Sequence, residues 1–457
     1  MKPDVRFTWN DGFAIAYQVI GSGSNDVIYL PGFLSNVELM WDIPPYARFL
    51  ERLASMSRLI AVDRRGFGCS DRLTPGTTPT LEEIADDVLA VVEAAMCEQV
   101  TVLAVQDAAF TALLLAASRP YLIKSLVLFG ASPSWVRVED LPDEWSEGEW
   151  ESALRSFGRV TSATASVQGY IRAQAPSLAG DQKSERALVS LYINSQGIGA
   201  GIAESRMLSR IDLRGILSSI QAPTLVIRRE GQEVNPASSS RYLVEHIEGA
   251  EYLEVPGRDT QPWLGDQEPV FEALERFMGV ERDSAIPDHR LVTVLFTDIV
   301  GSTDKQAELG DHGWKELVER HHAMVREILA RSHGVENDTA GDGFYATFDG
   351  PARAIRCALE VAERVRDLGI EVRAGVHTGE CELIDGKPAG IAVTTGARIA
   401  ARAGPSEVLA SQTVKDLVAG SSLAFEDAGE HELKGVPDSW RLYTVVASSW
   451  GNRDVRA

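Results

Sequence analysis

The sequence predicts a two-domain α/β chain: a mostly parallel sheet with a helical insertion, followed by a smaller α+β domain. Three observations carry that reading. At 457 residues the chain is too long for one ordinary core. Short apolar runs alternate with amphipathic stretches over residues 5–130 and again from 223, the pattern of parallel strands covered by helices. A polar stretch with Pro287, VERDSAIPDHR at 280–290, then separates this pattern from a second set of strands and helices.

The strand candidates of the first domain are 26–30 (DVIYL), 58–62 (RLIAV), 100–105 (VTVLAV) and 124–129 (KSLVLF), with helices at about 81–96 and 108–118 between the later ones. Each strand is a short, nearly unbroken apolar run, as a strand buried on both faces requires. From about 135 to 215 helices rich in Trp and acidic residues replace the strands, so this stretch is expected to lie over the sheet as a cap. The alternation resumes with PTLVIRR at 223–229, a helix near 237–247, AEYLEVPG at 250–257 and a last helix ending near Met278. The first domain is assigned to 1–279, the linker to 280–290 and the second domain to 291–457. In the second domain a strand at 291–299 precedes a helix at about 304–332, a hairpin around Gly341, a helix at 350–368, a strand at 371–376 and shorter elements to about 446. The linker is short and has no heptads, which excludes a long coiled-coil transmitter.

A hydrophobic fraction of 44% beside 24% charged residues excludes a disordered chain. The net charge of −22 divides into −14 over residues 1–287 and −8 over 288–457, so neither half has the excess of positive charge that DNA, RNA or anionic lipid would need. Cys69, Cys97, Cys357 and Cys381 lack metal-like spacing and read as free thiols of a reducing compartment. No apolar run approaches the about 20 residues of a membrane span, and the first residues lack a basic-then-apolar leader. The expectation is a cytoplasmic protein with neither nucleic acid nor membrane as partner.

The chemistry concentrates in VLFTDIVGST at 294–303 and AGDGF at 340–344. Asp298 ends an apolar strand and Asp342 sits at the tip of a later hairpin. Two carboxylates delivered to neighbouring strands suit a pair of divalent cations, and such a pair serves phosphoryl chemistry on a nucleoside triphosphate. The GSG at 21–23 and GFG at 66–68 lack the strand–loop–helix spacing of a dinucleotide site and read as turns.

Five motifs in order, YLPGF (29–33), AVDRRGFGCSD (61–71), SRPYLIKSLVLFGAS (118–132), PTLVIRREGQEVNP (223–236) and EVPGRDTQPW (254–263), give residues 5–278 a resemblance to the α/β-hydrolase family. That resemblance implies a nucleophile in a G-x-S-x-G turn between a strand and a helix. The corresponding stretch is Ala104-Val105-Gln106-Asp107-Ala108, with Gln106 at the nucleophile position, and an amide cannot be activated to attack an ester. The acid position reads Gln232 and the base position reads Thr260, so all three roles are lost together. Asp107 lies one residue late, counted back from Pro120, and is expected to face away from the site. The domain is therefore expected to be a structural partner or a small-molecule sensor beneath its cap.

Residues 290–446 resemble the catalytic domain of class III nucleotidyl cyclases, α+β and ferredoxin-like, through LFTDIVGST, GDGF, VRAGVHTGE (372–380), GIAVTTGARIA (390–400) and ELKGVPDSWRLY (432–443). The resemblance implies that Asp298, Asp342 and the carbonyl of Ile299 hold two Mg²⁺ or Mn²⁺ ions per site. Backbone N–H groups of Val300, Gly301, Ser302 and Thr303, at a helix start near 303, suit phosphate oxygens. Arg373 and Lys434 match positions that neutralise the leaving pyrophosphate, and Arg398 matches the arginine that stabilises charge on the α-phosphate. His377 and the His321–His322 pair match no ligand role and read as structural or solvent-facing. The family builds each site from two protomers, which implies a head-to-tail homodimer.

The chain departs from the family at the base-reading positions. Adenylyl cyclases place a Lys four residues before the second metal Asp, and an Asp seven residues before a transition-state Asn. The same counts give Asp338, Lys387 and Thr394. Base selection is either relaxed or inverted, with Lys387 donating to adenine N1 and Asp338 accepting from the N6 amino group. Thr394 offers one short hydroxyl, and loss of a placed donor costs about 10²–10³ in rate, so a slow enzyme is expected. The reading is an adenylyl cyclase converting ATP (or GTP) to a cyclic nucleotide, fused to a triad-less hydrolase fold. The alternative is a silent nucleotide-binding module with a small ligand at its first domain.

Overall fold

The structure, a computed structural model, describes residues 2–74, 77–157, 159, 162–279, 289–384 and 387–446. The chain divides into two units, residues 1–287 and 288–457. The linker expected over 280–290 lies, except for its last two residues, outside the described residues.

In the first unit, β1 (Arg6–Asn10) and β2 (Phe13–Ile20) form a hairpin turned at Asp11-Gly12. There follow β3 (Asp26–Leu30), α1 (Pro44–Met56), β4 (Arg58–Asp63), α2 (Leu81–Ala94), β5 (Val100–Val105), α3 (Ala108–Ser118) and β6 (Ile123–Phe129). The cap consists of α4 (Glu147–Phe157), α5 (Ala163–Gln174), α6 (Gln182–Ser195) and α7 (Ile198–Leu208). The sheet is completed by β7 (Thr224–Arg229), α8 (Ala237–His246), β8 (Glu251–Val255) and α9 (Glu268–Gly279). Strand order is β1-β2-β4-β3-β5-β6-β7-β8, antiparallel through β4 and parallel from β4 to β8. Every residue of β5 is buried, which the run VTVLAV allows because none of its side chains except Thr101 carries a polar group. Helix α2 starts on a capping box in which Thr80 and Glu83 each bond the other's backbone N–H. Beside the sheet, Tyr46 stacks on Trp263 at 4.5 Å within a core that includes Tyr29, Phe49 and Phe271.

In the second unit, β9 (His289–Ile299), α10 (Ser302–Arg331), β10 (Val335–Ala340), β11 (Gly343–Phe348), α11 (Pro351–Arg364) and β12 (Val372–Ile384) form a β-α-β-β-α-β unit. Its strands lie in the order β10-β11-β9-β12, all antiparallel, the ferredoxin-like arrangement. Further along come β13 (Lys387–Ala389), α12 (Ile391–Arg402), β14 (Val408–Ser411), α13 (Gln412–Leu417), β15 (Ala424–Glu432) and β16 (Ser439–Val446). The order runs on as β12-β14-β16-β15, with β13 paired to β12. The core lies between α10 and α11 and the sheet face bearing Leu295, Phe344, Ala374 and Val376.

Three expectations change. The β1–β2 hairpin was absent from the strand candidates. The strand expected at 371–376 extends to Ile384, because β9 begins at His289 and offers β12 a partner as far as Glu382. Helix α10 is broken at Gly310, whose φ of 68° and ψ of 170° lie outside the helical region.

Candidate active site

The central carboxylate arrives on β9, which carries Asp298 one residue before its end. Its neighbour β11 pairs Phe344 with Thr297, and the next step of that register sets Gly343 across from Asp298. β10 and β11 close through Ala340↔Gly343, leaving Gly341 and Asp342 as a two-residue turn beside Asp298. Gly341 takes φ +64°, the left-handed value that such a hairpin asks of its first turn residue. Asp298 and Asp342 therefore reach the same end of adjacent strands.

On the other side of β9, Arg373 of β12 lies opposite Asp298 in register. Its Nε and Nη2 donate to Asp298 Oδ2 at 3.1 and 2.5 Å. Arg373, expected to face a pyrophosphate, is thus the direct counter-ion of a metal-ligand candidate. Asp342 Oδ2 is buried and has no hydrogen-bond partner among the described residues. Among the described residues no group of three or more His, Cys, Asp or Glu is placed to hold a metal by itself. Two carboxylates with one orphaned oxygen fit Mg²⁺ or Mn²⁺ of the kind that completes its shell with water and substrate phosphate rather than with a full protein cage.

A cavity of about 320 Å³ opens against this strand end, lined by Phe296, Asp298, Asp338, Tyr345 and Arg373 from the sheet and by Val393, Ala397 and Ala401 of α12. Phe296 and Tyr345 stack at 4.7 Å and 3°, making a flat aromatic wall. Tyr345 Oη donates to the Pro388 carbonyl at 2.8 Å, and burial raises the phenol's pKa. Asp338 lines this cavity, while Lys387 is exposed on β13 and is absent from its lining. The proposed base-reading pair is therefore not gathered into one wall.

Phosphate-facing backbone is narrower than expected. The Val300 N–H donates to the Glu371 carbonyl at 2.9 Å and is taken, which corrects its assignment to a phosphate cradle. Gly301 caps α10 without a side-chain bond, so Gly301, Ser302 and Thr303 keep the first-turn donors. On α12, Thr394 and Arg398 stand one turn apart, on a stripe beside the cavity-facing alanines. Arg398 Nε donates to the Lys434 carbonyl at 3.0 Å, and Thr394 Oγ1 reaches the Gly390 carbonyl at 3.4 Å. Arg398 and Lys434 thus come together, but neither lines the Asp298 cavity. His377 is buried against Ser411 at 2.9 Å, and burial lowers its pKa to about 4, so it is neutral and structural. Burial also lowers His321 to about 4, with His322 as a second cause.

In the first unit, Gln106 adopts φ +51° between β5 and α3, the strained turn that exposes a nucleophile in α/β hydrolases. Its Oε1 accepts from Gln261 Nε2 at 2.8 Å and its Nε2 donates to Gln174 Oε1 at 3.4 Å. The Thr260 N–H donates to the Gln174 carbonyl at 2.8 Å. Gln106 and Thr260 are thus joined through Gln174 at the end of α5, in a network without charge. Gln232 is buried with its amide unpartnered and does not join them.

Asp107 does not face away. Its carboxylate lies against Gly32, where a Cβ would come within 2.7 Å of Oδ1 and 2.9 Å of the Val105 carbonyl, so only glycine fits. Burial raises the Asp107 pKa, while Arg64 and the N–H groups of Asp107 itself and Phe33 lower it. Those two N–H groups are the pair that forms the oxyanion hole in an α/β hydrolase. The Asp107 carboxylate therefore lies beside that hole, held by its ion pair with Arg64, and among the described residues neither of its oxygens completes a hydrogen bond. Arg64 Nη2 lies 2.7 Å from Asp107 and 3.1 Å from Glu204 of α7, and the guanidinium rests 4.1 Å above the Phe67 ring. The sequence offered no sign of this cluster, whose members are 43 and 97 residues apart.

Comparison with known proteins assigns the two units. Residues 26–262 match the alpha/beta hydrolase fold family, and residues 285–447 match the adenylate and guanylate cyclase catalytic domain family. An uncharacterized protein of Rhizobium meliloti is 31% identical over 186 residues, which cover 36% of this chain and 18% of that protein. A putative adenylate cyclase of the same organism is 28% identical over 181 residues, 36% of this chain and 29% of the relative. A serine hydrolase of Mus musculus is 25% identical over 256 residues, 54% of this chain and 76% of the relative. An esterase from Exiguobacterium antarcticum shares the first unit's fold, with a TM-score of 0.53 and 23% identity over 60% of this chain and 99% of that one. The chain spans less than a fifth and less than a third, respectively, of the two Rhizobium relatives. No helix of the described residues is long and apolar enough to cross a membrane.

Proposed function

Because the chain belongs to the alpha/beta hydrolase fold family through residues 26–262 and carries a class III nucleotide cyclase domain over 285–447, we propose that it converts ATP to 3′,5′-cyclic AMP and pyrophosphate in a homodimer, with a first unit that performs no hydrolysis. The observation that carries this reading is the delivery of Asp298 and Asp342 to one strand end, with Asp342 Oδ2 buried and unpartnered. Asp298, Asp342 and the Ile299 carbonyl would hold two divalent cations, which acidify the ribose 3′-hydroxyl and neutralise the triphosphate when bound.

The remaining roles fall to this chain's own groups. Gly301, Ser302 and Thr303 present first-turn N–H donors to phosphate oxygens. Arg373 exchanges its bond with Asp298 for the outgoing pyrophosphate as charge develops there. Arg398 stabilises the α-phosphate, with Lys434 beside it. Arg398 and Lys434 lie off the Asp298 cavity, which supports a site completed by a second copy of the chain. The Phe296–Tyr345 wall and Asp338 bound the space for the base, and an acceptor at Asp338 suits the N6 amino group of adenine. Thr394 in place of a longer amide keeps turnover slow. Gln106, Gln232 and Thr260 leave the first unit without a nucleophile, an acid or a base for hydrolysis.

The test is pyrophosphate release and cyclic-product formation from ATP and from GTP with Mn²⁺, with Asp298→Ala as the control. Cyclic AMP formation that vanishes in Asp298→Ala is expected. The Arg373–Asp298 pair favours one second reading, a nucleotide-binding module without turnover. Equal, background-level release by both proteins would establish that reading instead.

A further inference from the structure

Asp342 sits in the hairpin turn, outside the last β10–β11 pair, Ala340↔Gly343, where among the described residues no side chain bonds its Oδ2. What holds the backbone of its turn is one face of α10. His322 Nε2 lies 3.1 Å from the Gly341 carbonyl oxygen, and the contact requires the tautomer that donates Nε2–H. His321, fully buried, has the Asp342 backbone facing its ring. Both rings stand edge-on to Phe344, at 5.1 Å for His322 and 5.8 Å for His321. One turn further, Arg326 forks onto Glu336 of β10 with Nε and Nη2 both at 2.8 Å. The helix thus anchors the hairpin at its base by an ion pair and at its tip by an imidazole.

We propose that His322 is a positioning residue for the cyclase reaction: its Nε2–H, donated to the Gly341 carbonyl, fixes the two-residue turn and aims the Asp342 carboxylate at the divalent cation. The inference rests on the metal-binding reading of Asp298 and Asp342 given above. Apolar packing alone would be met by any side chain of similar volume on Phe344. A carbonyl held by one directed hydrogen bond is not, because loss of the donor frees the peptide that sets the direction of the next Cα–Cβ bond. Groups that orient a metal ligand from behind typically contribute about 10–100-fold in metal affinity.

The experiment is a titration of the full chain with Mn²⁺ alone, read from the electron paramagnetic resonance signal of free Mn²⁺, for wild type, His322→Leu, His322→Gln, His322→Asn and Asp342→Asn. Glutamine can place its amide N–H near the position of Nε2, and asparagine cannot. His322→Leu and His322→Asn are expected to bind Mn²⁺ about 10-fold more weakly, and His322→Gln within about threefold of wild type. Binding by His322→Leu equal to wild type, with Asp342→Asn weakened, overturns the inference and leaves the metal reading intact. Binding by Asp342→Asn equal to wild type overturns the metal reading itself. Should His322→Leu fail to fold, the Gln and Asn variants decide the matter, and equal affinities for those two overturn the proposal.

Discussion

Glu204 joins Arg64 and Asp107 in a buried cluster of two carboxylates and one guanidinium, with separations of 3.1 and 2.7 Å to Arg64. Burial pushes the Glu204 carboxyl up to about 7; Arg64 pulls it down and Asp107 pushes it further up. An acid with a higher pKa in the folded state than in the unfolded chain holds its proton more tightly when folded. Stability therefore falls as pH rises from the unfolded value of 4.5 through about 7, and the loss is complete above that. At about 1.4 kcal/mol per tenfold change in acidity, the penalty at pH 8 has a ceiling of roughly 3 kcal/mol. Glu204→Gln removes the surplus charge and leaves Arg64 paired one to one with Asp107. The variant is expected to match wild type at about pH 5 and to be more stable by roughly 1–3 kcal/mol at about pH 8. Urea denaturation of the full chain at both pH values, followed by tryptophan emission, measures this. Trp150 Nε1 donates to the Ser205 carbonyl at 3.3 Å and so reports on the helix that carries Glu204. Destabilisation of equal size at both pH values would refute the reasoning, because it would mean that Arg64 needs Glu204 as a partner.

Four further outcomes follow from the same geometry. Arg373→Ala frees Asp298, so Mn²⁺ should bind about two- to fivefold more tightly, the worth of a half-exposed ion pair, even as cyclisation falls; unchanged binding would mean that the pair does not compete with metal. Thr394→Asn should raise turnover by about 10- to 100-fold, and a slower enzyme would show that the threonine is not a deficit. Asp338→Ala should lower the ATP-over-GTP preference, measured as a ratio of kcat/KM, while Lys387→Ala, outside the cavity lining, should leave it unchanged; equal losses for the two would mean that Lys387 also reads the base. A triple variant Gln106→Ser, Gln232→Asp, Thr260→His should not hydrolyse a p-nitrophenyl ester above the wild-type background, because Gln232 stands apart from the Gln106–Thr260 network, and a clear gain would show that the three positions converge.

The strands buried on both faces were legible because continuous apolar runs of five to seven residues admit few other homes. Asp298 and Asp342 were legible for a related reason: each is a charged residue set in an apolar strand or a glycine turn. The β1–β2 hairpin was missed although Asp11-Gly12 marks its turn, since attention to parallel alternation passes over an antiparallel edge. The Arg373–Asp298 bond depends on register between β9 and β12, which no local pattern encodes. The same holds for the loss of the Val300 amide to Glu371, where the partner lies 71 residues away. Asp107 was placed by counting along a turn, and counting cannot show that a glycine at position 32 leaves room for its carboxylate to fold inward.

β9 is flanked on both sides, by β12 along its whole length from His289 to Ile299 and by β11 from Thr293 to Thr297, whereas β10 stands at the sheet margin. Amide hydrogens of β9 over Thr293–Thr297 are therefore expected to exchange slowly, while those of the β10–β11 tip exchange through local fraying. Asp298, next to that doubly flanked run, and Asp342, at the hairpin tip, thus differ in how much of the sheet must open to free them. The first is held by the sheet around it, and the second is only as well ordered as the hairpin that carries it.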